Sequence, residues 1–279
     1  MRVNSWHNVS VTLTLTAAAV PMGFFFGCTD ERGPTTGWGG SEMESGYQGK
    51  VADWEAFLSC WEREAMGALA QKEHLFFFEK IAISRGGMGY PPASDIEITS
   101  TEGRLGVALP KSYRDFLKAS NGWLRSESRF YSVSEIGWVP EKEPFLLELH
   151  PPQLAPAPEK EVPDEEYFIY WMQAAWPAGQ DRFRTAYFPD LLSIAEEDGG
   201  SYYLLNPKVV FEDGEWEAWM YHPGGGVGVE RYRSFAEMMR NKYFGEVKDP
   251  GYGGFYTEEQ LAGTCAELLP APLPAPPGR

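Results

Sequence analysis

The sequence predicts an α+β fold, with N-terminal helices packed on a mostly antiparallel sheet and a C-terminal helix. Three observations carry that expectation. Apolar residues recur first at helical spacing, then in short runs separated by turn residues, and a capped helical segment closes the series. Of 279 residues, 43% are hydrophobic and 15% aromatic, enough to bury a core that offsets the entropy of ordering the chain. With 30 Gly and 22 Pro, the chain is too rich in turn formers for a helical bundle or a coiled coil.

Trp54, Phe57, Leu58, Trp61 and Ala65 define an amphipathic helix over residues 51–71. Residues 75–83 are apolar and aromatic, and Gly86, Gly87, Pro91 and Pro92 break the chain after them. Ser94 caps the next helix, with Glu97 three residues on to complete a capping box, and Gly103 to Gly106 end it. Pro110 starts another helix, which carries Tyr113, Phe116 and Leu117 on one face and stops at Asn121-Gly122.

Strands follow Trp123. They are expected at 130–133, 136–139, 191–195, 202–206, 209–211 and 216–222, with Asp213-Gly214 as the turn between the last two. Residues 167–171 suit a strand or a helix start. Pro151, Pro152, Pro156 and Pro158 make 140–166 read as an extended surface insertion. Ser234 caps a last helix through Lys242, and residues 224–228 form a loop before it. The domain is expected over 50–245, followed by a Gly/Pro-rich tail over 246–279 that is polyproline-like from Leu268.

Residues 1–49 read as a leader and linker. The apolar run Val9–Gly27 before Cys28 is loosely similar to a secretion signal with a lipoprotein cleavage box. Ser10, Thr12, Thr14, Thr16 and Pro21 make it a poor spanning helix, so no integral membrane span is expected. Translation from Met43 and an unstructured leader are the other readings. The address is accordingly cytoplasmic, with an envelope lipoprotein attached through Cys28 as the alternative.

Asp and Glu outnumber Lys and Arg by 40 to 24, a net charge of −16, which excludes the basic stripe that nucleic-acid binding requires. Cys28, Cys60 and Cys265 lack any CxxC spacing, which excludes a zinc ribbon or thioredoxin site. Three dispersed thiols do not make a disulfide framework, so a reducing compartment is expected, with Cys60 a buried thiol on the inner side of the first helix. His7, His74, His150 and His222 show no metal-ligand spacing. Residues 224–228 lack the Lys-Ser/Thr of a phosphate loop, and Asp190, Glu196, Glu197 and Asp198 lack the spacing of a calcium loop. No catalytic residue, cofactor or metal is expected.

Two stretches together resemble the SUKH superfamily, the Smi/Knr-like domain. The first runs from Ile96-Glu97 through Leu105-Gly106, Leu109-Pro110, Tyr113, Phe116-Leu117 and Asn121-Gly122-Trp123. The second comprises Leu192 to Asp198, Tyr202-Tyr203-Leu204, Trp219 to His222 and Ser234-Phe235. Gly199-Gly200-Ser201 stands where the family commonly shows a Gly-Asp pair. The resemblance implies a non-catalytic binding protein. Bacterial members are similar to immunity proteins that neutralise toxins delivered between competing cells, many of them nucleases or deaminases. Fungal relatives are regulators that act as protein hubs, and a scaffold role is the alternative.

The acidic balance then points to a basic cognate toxin domain. Carboxylates beside aromatics suit such a partner, since rim charge steers encounter and aromatic anchors supply buried contact. The residues expected there are Glu165, Glu166, Tyr167 and Trp171, then Glu196, Glu197 and Asp198, then Glu215 and Glu217.

Overall fold

The computed structural model describes residues 47–125, 127–150, 162–168, 170, 183–197, 200–223, 228–249 and 256–271. The leader, Trp171, Asp198 and the tail beyond Ala271 lie outside them.

Helices form where the apolar spacing places them. The first, α1 (Val51–Leu69), buries Trp54, Phe57, Leu58 and Trp61, and Asp53 accepts the Lys50 amide at 3.1 Å. The apolar run after it becomes α2 (Phe77–Arg85). The capping box of α3 (Asp95–Leu105) is as expected: Ser94 Oγ accepts the Glu97 amide at 3.3 Å, and Glu97 Oε2 accepts the Ser94 amide at 2.8 Å. Pro110 precedes α4 (Lys111–Ala119), and the chain turns away at Gly122. That residue has φ +112°, and a Cβ there would lie 2.9 Å from the Phe130 carbonyl oxygen.

The sheet contains β1 (Trp123–Leu124), β2 (Ser128–Phe130), β3 (Gly137–Trp138), β4 (Leu192–Glu197), β5 (Tyr202–Val210), β6 (Trp216–His222) and β7 (Gly228–Tyr232). Its order is β1-β2-β4-β5-β6-β7, β3 also pairs with β4, and every pairing is antiparallel. Asp213-Gly214 makes the expected turn, with Gly214 at φ +76°. The register shifts between Asn206 and Val210, around Pro207, which has no amide to give the ladder. The expected 224–228 loop gives way to β7 at Gly228; its short Val-Glu-Arg-Tyr run is too charged to stand out from sequence. Beyond it, Ser234 Oγ accepts the Glu237 amide at 3.0 Å and starts α8 (Phe235–Val247).

Helices α1, α4 and α8 pack together beside the sheet, around Phe235. Its ring lies 5.5 Å from Trp54, 5.1 Å from Phe116 and 4.8 Å from Tyr113. Side chains alternate along β6, so Ala218 and Met220 join this core while Trp219 and Tyr221 enter a second one. There α5 (Val139–Lys142), α6 (Pro144–Leu149) and a 3-10 turn (Thr185–Asp190) bring Val139, Leu146 and Phe188 against Leu204, Trp219 and Tyr221. The expected surface insertion is therefore corrected at its start: residues 139–149 are a covering layer, needed because apolar strand residues face both ways. Its proline run, residues 151–158, lies outside the described residues.

The tail reading also changes. α9 (Glu258–Leu261) and a 3-10 turn (Cys265–Leu268) pack on α8 and α1, burying Leu261, Ala266 and Leu269. Cys60 and Cys265 form a disulfide, with Cα atoms 5.7 Å apart. The expectation of free thiols is thereby corrected. The partners are 205 residues apart, and only folding brings them together.

Candidate partner-binding surface

Two of the acids expected on the binding surface are interior. Glu217 follows the period of β6 onto the face of Trp219 and Tyr221 and is fully buried. It accepts hydrogen bonds from Tyr167 OH at 2.7 Å, Tyr170 OH at 3.0 Å, Asn206 Nδ2 at 2.9 Å, Trp219 Nε1 at 2.6 Å and Arg231 Nη1 at 2.7 Å. The Arg231 guanidinium also donates to the Tyr167 carbonyl and stacks 3.8 Å from the Tyr167 ring centroid. Burial works against the charge of Arg231, but Glu217 beside it holds its pKa above the ordinary value. Burial pushes the Tyr167 and Tyr170 phenols up, and the Glu217 charge adds to it. The cluster fastens α7 (Asp164–Tyr167) to the sheet, so Tyr167 is an internal anchor.

Glu215, at the head of β6, is buried against the first turn of α4. It accepts the Ser112 amide at 2.9 Å and the Ser112 hydroxyl. Burial pushes its pKa up to about 7, partly opposed by those Ser112 bonds. The expectation that Glu215 and Glu217 lie on a solvated acidic face is corrected. In β6 the alternation of Glu217 with Trp219 and Tyr221 is the sequence signal that would have marked it as internal.

The other expected acids sit elsewhere. Glu165 and Glu166 belong to α7 and Glu197 ends β4; their side chains lie outside the described residues. Glu196 is 45% exposed and accepts Arg129 Nε at 3.2 Å and Nη2 at 3.0 Å. Arg129 Nη1 donates to Glu135 Oε1 at 2.6 Å, and its guanidinium lies 5.0 Å from the Tyr131 ring centroid. Close by, Glu143 accepts the Ser193 hydroxyl at 3.0 Å, and burial raises its pKa, with the Glu196 charge adding to it. Burial and these two acids also raise the half-buried Tyr202. Glu135, Glu143 and Glu196 thus gather near Arg129 and Tyr202 from three separate stretches of chain. Nothing local to any one stretch shows that grouping.

Other chemistry is sparse. A cleft of about 470 Å³ lies between Trp138, Pro140, Pro189 and Pro207, with an exposed Lys208–Asp190 pair 3.1 Å long at its wall. His150 Nε2 is 2.6 Å from Tyr221 OH and its ring stacks on Phe188, while His222 Nδ1 meets Ser201 Oγ at 2.7 Å across the strand pair. Among the described residues, Cys60, Glu64 and Cys265 are the one group of metal-ligating types close together, and the two sulfurs are bonded to each other. No helix among the described residues is long and apolar enough to cross a membrane.

Helices beside an antiparallel sheet and a covering excursion on its other side define an α+β domain. The chain belongs to the SMI1 / KNR4 family (SUKH-1), whose family model matches residues 92–241, more than half of its length. Helices α1 and α2 and the packed C-terminal segment fall outside that match. No curated protein and no solved structure matches the chain.

Proposed function

We propose that the chain is an immunity protein, which binds a cognate toxin domain and neutralises it by occlusion, with no chemistry of its own. The observation that supports this reading is its place in the SUKH-1 family, joined to a net charge of −16. The charge suits a basic partner domain, such as a nuclease or deaminase that itself holds nucleic acid. The residues proposed to meet the partner are Glu165 and Glu166 of α7, Glu196 and Glu197 of β4 and the following Asp198, with Trp171 and Tyr202 as aromatic contacts. Glu215, Glu217 and Tyr167 serve the fold that presents it.

Of the two addresses, cytoplasm and an envelope lipoprotein attached through Cys28, the Cys60–Cys265 disulfide favours the second, because cytosolic thiols are kept reduced. Labelling with a fatty-acid probe, lost in Cys28→Ser, tests that address.

Co-expression of the full chain with the C-terminal domain of a large secreted protein encoded beside it tests the function. Restored growth and co-elution on a sizing column are expected. A folded chain that neither rescues nor co-elutes overturns the immunity reading in favour of a scaffold or regulator.

A further inference from the structure

The C-terminal segment Tyr256–Leu269 lies as a strap at the seam between α1 and α8. Its hydrogen bonds run to α8. Arg240 Nε donates to the Ala266 carbonyl at 2.9 Å, and its two terminal nitrogens donate to Glu258 at 2.8 and 2.6 Å. The Tyr256 amide donates to Asn241 Oδ1 at 2.8 Å, and the Cys265 amide to Tyr243 OH at 3.4 Å. The covalent tie runs the other way, from Cys265 to Cys60 on α1. Tyr243 OH and Lys248 Nζ hold Glu64, one helical turn from Cys60, at 2.6 and 2.9 Å, so the seam also carries ion-paired contacts. None of these elements except the start of α8 is part of the family match.

We propose that Cys60–Cys265 is a reversible redox site that latches this strap to α1, set when the chain reaches an oxidising compartment and released by a dithiol reductant. The strap's other polar ties are modest: Glu258 is 57% exposed, so its pair with Arg240 is screened by water. With the bridge cut, the Cys265–Leu268 turn of the strap keeps its packing on α1 but loses its covalent tie to it.

The exchange balances as follows. Cys265 is buried and Cys60 is only half-buried, so an incoming thiolate attacks Cys60 Sγ. The S–S bond breaks, Cys265 leaves as a thiolate and takes up a proton, and a mixed disulfide forms at Cys60. The reductant's second thiol then attacks its own bound sulfur and frees Cys60, which takes up the second proton. The protein gains two electrons and two protons, and the dithiol becomes a disulfide.

The test uses the full chain carrying Cys28→Ser, so that only this pair can bridge, produced in an oxidising compartment. Peptide mapping without reductant is expected to recover a linked Cys60–Cys265 fragment. Hydrogen exchange at strap amides is expected to rise at least about tenfold on adding dithiothreitol. A Cys60→Ser chain should show the fast exchange from the start and no response to reductant. Free alkylation of both cysteines in the folded protein overturns the proposal. So does strap exchange unchanged by reduction, or a reduced chain that binds zinc alone through these thiols and keeps the strap protected. Should Cys60→Ser fail to fold, the comparison with and without reductant decides by itself.

Discussion

The Glu215 carboxylate accepts the Ser112 amide at 2.9 Å, joining the head of β6 to the first turn of α4 across 103 residues of chain. A helix start leaves amides without intrahelical partners, and here one is met by a side chain from the sheet. The carboxyl pays for this with burial.

That burial makes stability depend on pH in an unusual direction. Glu215 is raised to about 7 from an ordinary 4.5, so between those values the folded chain binds its proton more tightly than the unfolded chain. The group's contribution is full below 4.5 and is lost as pH rises through 7, a change of about 3 kcal/mol. Glu215→Gln removes the titration. Urea unfolding of both proteins should show the wild type losing stability relative to the variant from about pH 4.5 to about pH 8. Parallel profiles would contradict the assignment.

Glu217 makes a different prediction, because it has five donors, one of them the buried cation Arg231 at 2.7 Å. Removing one partner of a buried pair leaves the other uncompensated, so Glu217→Ala should cost about 3–5 kcal/mol in urea unfolding. Glu217→Leu combined with Arg231→Met should recover most of that loss. A Glu217→Ala chain of wild-type stability would return this residue to the surface.

At Gly122 the backbone rather than a side chain sets the requirement. With φ +112° and the Phe130 oxygen 2.9 Å from a built Cβ, Gly122→Ala should destabilise by about 1–3 kcal/mol. Thermal unfolding checks it, with Gly103→Ala as the contrast, since a Cβ at Gly103 meets nothing within 4 Å and replaces a poor helix former within α3.

What could be read from the sequence, and what could not, divides by range. The Ser94–Glu97 box, the Asp213-Gly214 turn and the Ser234 cap each close within a few residues, and local chemistry decides them. Glu215 and Cys60 have partners 103 and 205 residues away, and nothing near either residue names Ser112 or Cys265. Glu217 lies between these cases. Its strand period was legible, but the second core that covers it comes from residues 139–149, which the prolines following them disguised as a surface excursion. Glu196 is 45% exposed, yet its neighbours Glu143 and Glu135 reach it only through the pairing of β4 with β2 and β3.

The interior placement of Glu215 and Glu217 sharpens the last prediction, on how the partner is met. Charge steers association only where it faces solvent; among the described side chains of the expected acids, Glu196 is the exposed one, at 45%, and Glu165 and Glu166 remain the proposed steering pair. Reversing Glu165 and Glu166 together to Lys should slow association with the toxin domain about tenfold while leaving dissociation nearly unchanged. Raising salt should weaken wild-type binding mainly through the same association rate. Glu196→Lys should act likewise, with an added local effect because it releases Arg129, whose other acceptor is Glu135 at 2.6 Å. Stopped-flow binding across a salt series separates the rates, and unfolding curves must show that the Glu165/Glu166 double variant keeps wild-type stability. Association that ignores both salt and these reversals would remove α7 and the end of β4 from the docking face, and with them the electrostatic argument for a basic partner.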